Sequence, residues 1–171
     1  MRIEEMINNI KLNQFTEEDF NELISYFMEK DTITDFDIDL LYTFYHKVAY
    51  ILNFHKIRDI HLITEKYISL VDNHDNTWEL YAIELVYFYF MDSPSEVMKY
   101  ANKLLTLKAS FGKASAYCYV IMIFARLKMF KEATPYMDEA DIFVKNNELS
   151  PIQLFHIWIN ELDIFAASEQ P

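Results

Sequence analysis

The sequence predicts an all-α fold, an α-solenoid of about four helix hairpins, on three observations. Glycine occurs once, at Gly112, and proline four times in 171 residues, so the turn residues that β-hairpins require are almost absent. Segments of helical periodicity alternate with short polar clusters. A repeat of 36 to 37 residues, with two helices per unit, runs through those segments, and units of that length bury their cores only by stacking on one another.

Helices are expected near 16–30, 37–54, 57–71, 77–91, 94–107, 113–128, 131–145 and 151–167. Carboxylates open the first two, Glu17-Glu18-Asp19 and Asp37 with Asp39. In a first turn they favour the positive end of the helix dipole, and this reading outweighs acid/base work. The interruptions are Asp31 to Asp35, Asp72 to Thr77, Asp92 to Ser95 and Asn146 to Pro151. In Ser93-Pro94-Ser95-Glu96 the serine can cap, the proline needs no amide partner at the first helical position, and the glutamate completes a capping box. Ser150-Pro151 repeats the first half of that signal. Tyr87-Phe88-Tyr89-Phe90 covers every face of its helix, as a buried solenoid helix does. The apolar run Ala116 to Ala125 is about half of what a bilayer-spanning helix needs. Connections this short join neighbouring helices as antiparallel hairpins.

The length favours one helical-repeat domain over residues 1–171, with 1–15 an extension or partial helix and 16–167 the repeats and a C-terminal capping helix. A 52% apolar and 16% aromatic composition is that of a folded chain. Fifteen Lys and Arg against 27 Asp and Glu leave a net charge of -12. That charge repels phosphate backbones and anionic headgroups, so neither nucleic acid nor membrane is an expected partner. The charged start Met1-Arg2-Ile3-Glu4-Glu5 is unlike a signal peptide, and the lone Cys118 cannot form an internal disulfide. Both point to a reducing, cytoplasmic location.

No catalytic residue, metal or cofactor is expected. One glycine cannot make a phosphate loop. Cys118 lies in the apolar run with no histidine near in sequence and reads as a small buried hydrophobe. His55 and His61 flank Asp59, but a six-residue spacing points them to different faces, with a helix-helix turn expected between them.

The repeat shows in Phe20-Asn21-Glu22-Leu23, Ile57-Arg58-Asp59-Ile60, Pro94-Ser95-Glu96-Val97 and Phe130-Lys131-Glu132-Ala133, whose last residues are 37, 37 and 36 positions apart. The stretch from Phe124 to Ala140 resembles the tetratricopeptide consensus: an aromatic near the end of one helix, Phe130 before a charged pair, then Ala133 and Ala140 seven apart, where paired helices approach closely. Lys128 stands where that family prefers glycine, and Pro135 falls inside the second helix, which either kinks there or begins anew with Thr134 as its cap.

A second resemblance is carried by Thr77-Trp78-Glu79-Leu80-Tyr81 through Phe90-Met91-Asp92, then Glu96-Val97 and Leu104-Leu105. A tryptophan opens a helix rich in tyrosine and leucine that ends in aromatics and Asp, and the next helix ends in Leu-Leu. This is similar to the C-terminal, tetratricopeptide-like domain of the Rgg/GadR/MutR transcriptional regulators, the peptide-pheromone receptors used in quorum sensing by Gram-positive bacteria. The similarity covers roughly 36–167. Those regulators begin with a helix-turn-helix domain of some 60 residues, and here about 15 residues precede the first repeat. The resemblance therefore implies the sensor half alone: a concave helical surface that holds a short linear peptide, and a dimer interface. The alternative is a stand-alone adapter, or an antagonist that pairs with a full-length regulator and takes no peptide.

In this repeat type the first helix of each pair lines the concave side. Its exposed positions come out as Tyr42, Tyr45 and Asn53, then Glu79 and Tyr89, then Ser115, Met122 and Arg126, with Phe155 and Asp163 from the final helix. Tyr, Met and Asn with a single Arg suit an extended peptide, although core packing accounts for a Tyr or Met equally well. Arg126 has two readings, a staple to Glu79, Asp163 or another acid, or a receptor for a peptide's carboxylate. The apolar face of 151–167 suggests a homodimer.

Overall fold

The computed structural model describes residues 6, 8, 9, 16–49, 54–71 and 77–147. Among these residues the chain is all-helical, with seven helices and no strand. They are α1 (Glu17–Glu29), α2 (Asp35–Ala49), α3 (Phe54–Leu70), α4 (Trp78–Phe90), α5 (Pro94–Thr106), α6 (Ser110–Arg126) and α7 (Phe130–Asn146). Each matches an expected helix to within a few residues over the described residues; the expected last residues of α2, 50–53, lie outside them. Because α3 already begins at Phe54, His55 and His61 stand on one helix, and the turn expected between them does not exist. The eighth expected helix, 151–167, lies outside the described residues. The chain forms two compact units, Met1–Ile83 and Glu84–Pro171.

In the first unit, two threonines start helices by the same reciprocal bonding. The Thr16 hydroxyl accepts from the Asp19 amide while the Asp19 carboxylate accepts from the Thr16 amide. Thr34 and Asp37 repeat this at α2, so both acidic openings act as caps. Phe20, Leu23 and Phe27 form the buried stripe of α1 and meet Phe44 and Tyr67, with ring centres 5.4 to 6.1 Å apart. Lys56 near the start of α3 pairs with Glu17 at 3.0 Å, and Lys66 near its end donates to the Met28 carbonyl at 2.6 Å. Start meets start and end meets end, so α1 and α3 pack in parallel, about one repeat apart in sequence.

The hub of this unit is Asp37, whose side chain is fully buried. Its carboxylate accepts from Lys30 at 2.6 Å, from Tyr26 at 2.7 Å, and from the amide and hydroxyl of Thr34. Burial by itself would raise the pKa of this carboxyl. The hydrogen bonds from Lys30, Thr34 and Tyr26 outweigh it and hold the group at about 2.

In the second unit, α6 packs against both α5 and α7. Gly112, Ala114, Ala116, Cys118, Val120, Ile121 and Ile123 bury most of its circumference, and the Cys118 thiol is a core group, as its apolar neighbours suggest. Ala133 and Ala140 are completely buried on α7, which fits the close helix approach their size allows. α7 runs unbroken through Pro135. Thr134 is therefore not a cap, and its hydroxyl instead donates to the Phe130 carbonyl at 3.1 Å.

The turns after α4 and α6 have one geometry. Asp92 (φ 54) and Lys128 (φ 57) are the described residues other than glycine with positive φ. In each turn the following amide reaches back five residues, Ser93 to the Phe88 carbonyl and Met129 to the Phe124 carbonyl. A shorter bond from the left-handed residue nests inside it, which is a Schellman closure. Ser93 is caught in this motif with ψ 82, away from the extended geometry that aims a capping hydroxyl, so the box expected with Glu96 does not form. Pro94 does open α5, and Glu96 pairs with Lys99 at 2.7 Å. Parallel α1 and α3, together with two equivalent turns 36 residues apart, are consistent with a helical repeat. No described helix is long and apolar enough to cross a membrane.

Candidate interaction surfaces

Four of the described residues expected on a binding wall lie in the second unit: Tyr89, Ser115, Met122 and Arg126. Ser115, Met122 and Arg126 fall seven and four residues apart on α6, one face of the helix. Ser115 and Met122 are half-buried between the core and the surface, and Arg126 is exposed at the helix end. Tyr119 belongs to the same face, one turn from Ser115, and is half-buried like them. The sequence reading omitted it, although its spacing placed it there. Tyr89 from α4 sets its ring 5.4 Å from that of Tyr119. The result is a continuous half-exposed strip of Ser115, Tyr119, Met122 and Arg126, widened by Tyr89.

Arg126 closes this strip. Its guanidinium lies over the Tyr89 ring, 4.7 Å from the centre, and forms an ion pair with Asp92. The partner is thus an acid next to the end of α4, and the geometry is that of a staple between the ends of two helices. Both side chains remain partly in water, 35% and 61% exposed, and such pairs contribute about 0 to 1 kcal/mol.

The remaining candidates are in the first unit or outside the described residues. Tyr45 is 2% exposed and belongs to the core. With Ile38 and Leu41 it lies on the buried side of α2, while Tyr42, only 60° around the helix, lies at the boundary. Tyr42 is half-buried and meets Trp78 edge to face at 5.2 Å. Glu79 is half-buried beside them. Burial raises its pKa, and a hydrogen bond with Asp39 and the nearby Asp35 charge raise it further, to about 7. Asn53, Phe155 and Asp163 lie outside the described residues.

Comparisons with protein-family models, curated proteins and solved structures return no match. The tetratricopeptide and Rgg resemblances rest on the residue patterns alone.

Proposed function

We propose that this chain is a non-catalytic interaction module that binds a polypeptide along α6. The observation that carries the reading is the half-exposed strip of Ser115, Tyr119, Met122 and Arg126 with Tyr89 at its side. Side chains placed between core and water present apolar area whose burial is favourable, and tyrosine hydroxyls and a guanidinium add directional bonding at its edge. Methionine adapts to a partner's shape. A short linear peptide, as the Rgg resemblance implies for the sensor half of a regulator, suits a strip one helix wide. In that reading the chain works in the cytoplasm and as a homodimer, with no direct contact to nucleic acid.

The test is a photo-crosslinking residue in place of Met122, with the same residue at exposed Glu139 on α7 as control. The expected outcome is a specific adduct at position 122 that Tyr119→Ala abolishes while the fold persists. Equal labelling at both positions, or none, would sink the strip as a binding surface.

A further inference from the structure

Between residues 97 and 131 the chain carries seven of its 15 Lys and Arg and none of its 27 Asp and Glu. The stretch takes in most of α5, all of α6 and the turn into α7, so the strip on α6 lies in a purely cationic part of an acidic protein. Within α6 the span 114–125 is uncharged, and cations stand beyond both of its ends. Lys108 is in the turn before α6; Arg126 closes the helix, with Lys128 in the turn after it and Lys131 in the first turn of α7. All four are exposed. Asp92 holds Arg126, whereas the side chains of Lys108, Lys128 and Lys131 make no hydrogen bond or ion pair among the described residues. Large apolar side chains are exposed at the same two ends. Phe111, 45% exposed, lies four residues before Ser115 on the strip's own face. At the other end Leu127 and Phe90 are exposed, and the Phe90 ring is 5.4 Å from that of Tyr89.

We propose that the partner of this strip is an acidic polypeptide segment, its apolar side chains on Phe111, Tyr119 and Met122 and its carboxylates at both ends, on Lys108 and on Lys128 with Lys131. The inference rests on the reading of α6 as a binding surface and names the chemistry that surface selects. Exposed apolar area supplies the contact, and the lysines decide which sequence is admitted, since charge across an interface acts on partner choice and encounter more than on affinity. From Phe111 to Arg126 the helix rises about 22 Å. An extended segment of about seven residues covers that length, so the partner carries acids about that far apart with apolar residues between them. A nucleic-acid strand has a phosphate at every nucleotide and would lay several along the uncharged span 114–125. An anionic bilayer would meet the exposed Glu132, Asp138, Glu139 and Asp141 of the neighbouring α7. A polypeptide can confine its charge to the two ends.

The experiment titrates the full chain by calorimetry with acetyl-Glu-Glu-Leu-Phe-Ala-Leu-Leu-Glu-Glu-amide and with the same peptide carrying Gln, or Lys, in place of Glu. The expected result is that the Glu peptide binds about tenfold more tightly than the Gln peptide, that the Lys peptide binds most weakly, and that the advantage of Glu shrinks as salt rises from about 0.05 to about 0.5 M. Lys108→Gln, Lys128→Gln and Lys131→Gln together reduce the Glu peptide to the affinity of the Gln peptide, whereas Tyr119→Ala weakens both peptides. Equal affinity for the Glu and Gln peptides overturns the acidic partner and leaves the strip standing as a binding surface. Failure of all three peptides to bind, together with no adduct at position 122, removes the strip as well. Tighter binding of poly-uridylate or of phosphatidylserine vesicles than of the Glu peptide overturns the proposal in favour of a polyanion or a membrane.

Discussion

Asp92 and Lys128 stand 36 residues apart and turn the chain through the same left-handed corner, one after α4 and one after α6. Neither is glycine, and a side chain in that region clashes with its own backbone, at about 1 to 2 kcal/mol for residues other than Gly, Asn and Asp. Lys128 is exposed, and its side chain makes no hydrogen bond or ion pair among the described residues. Lys128→Gly is expected to stabilise the chain by about 0.5 to 1 kcal/mol, read as a higher urea midpoint at unchanged slope. Asp92→Gly relieves the same corner but loses the Arg126 pair, so it should gain less. A destabilised Lys128→Gly variant would refute the closure geometry.

The Arg126 staple makes a modest claim on stability. Its exposed ion pair is worth about 0 to 1 kcal/mol and its position over Tyr89 about 0.5 to 1. Arg126→Ala is therefore expected to cost about 1 kcal/mol in thermal or urea unfolding. Unchanged stability together with lost crosslinking at position 122 would instead make Arg126 a ligand anchor and reject the staple.

Pro135 lacks the amide that would bond the Lys131 carbonyl, yet α7 continues through it. Packing supplies what the helix gives up locally, through fully buried Ala133 and Ala140 and buried Met137 on either side. Since interior proline costs about 3 kcal/mol relative to alanine and Pro135 is exposed, Pro135→Ala should raise stability by about 1 to 3 kcal/mol. If urea titration shows no gain, the Lys131 carbonyl has found another partner.

Helix positions were legible because each depends on local signals: acids in first turns, apolar spacing, and clusters of Asp, Asn and Ser between segments. The threonine caps at Thr16 and Thr34 follow the same logic. Where two local motifs compete, the sequence does not say which prevails, as at Ser93, where the closure of α4 takes the residue that a cap of α5 would use. Pro135 shows the reverse, a strong local signal overridden by tertiary burial. On the candidate site, phase separated Tyr42 from Tyr45 too coarsely, because 60° of helix rotation decides between boundary and core. Tyr119 had the correct spacing but sits inside an apolar run, where nothing local marks a half-exposed ring. The Asp92 partner of Arg126 depends on two helix ends meeting, a distance of 34 residues along the chain.

Two carboxyl groups shifted in opposite directions predict where the protein is most stable. Asp37 falls from 3.8 to about 2 on folding, so its contribution is present above pH 3.8 and is lost as the pH falls through 2. Fully buried, it is worth about 2 kcal/mol by linkage. Glu79 rises from 4.5 to about 7, so its contribution is full below pH 4.5 and is lost as the pH rises through 7. Together they place the melting maximum at about pH 4 to 5. Asp37→Asn should flatten the acid side of that curve and lower the whole of it, because Lys30 and Tyr26 lose a charged acceptor. Glu79→Gln should flatten the side between pH 5 and 8 and leave the acid side unchanged. Melting curves of the three proteins from pH 2 to 9 check both shifts. A wild-type curve that climbs between pH 5 and 8 would contradict the Glu79 shift, and one that Asp37→Asn leaves unchanged would contradict the hub.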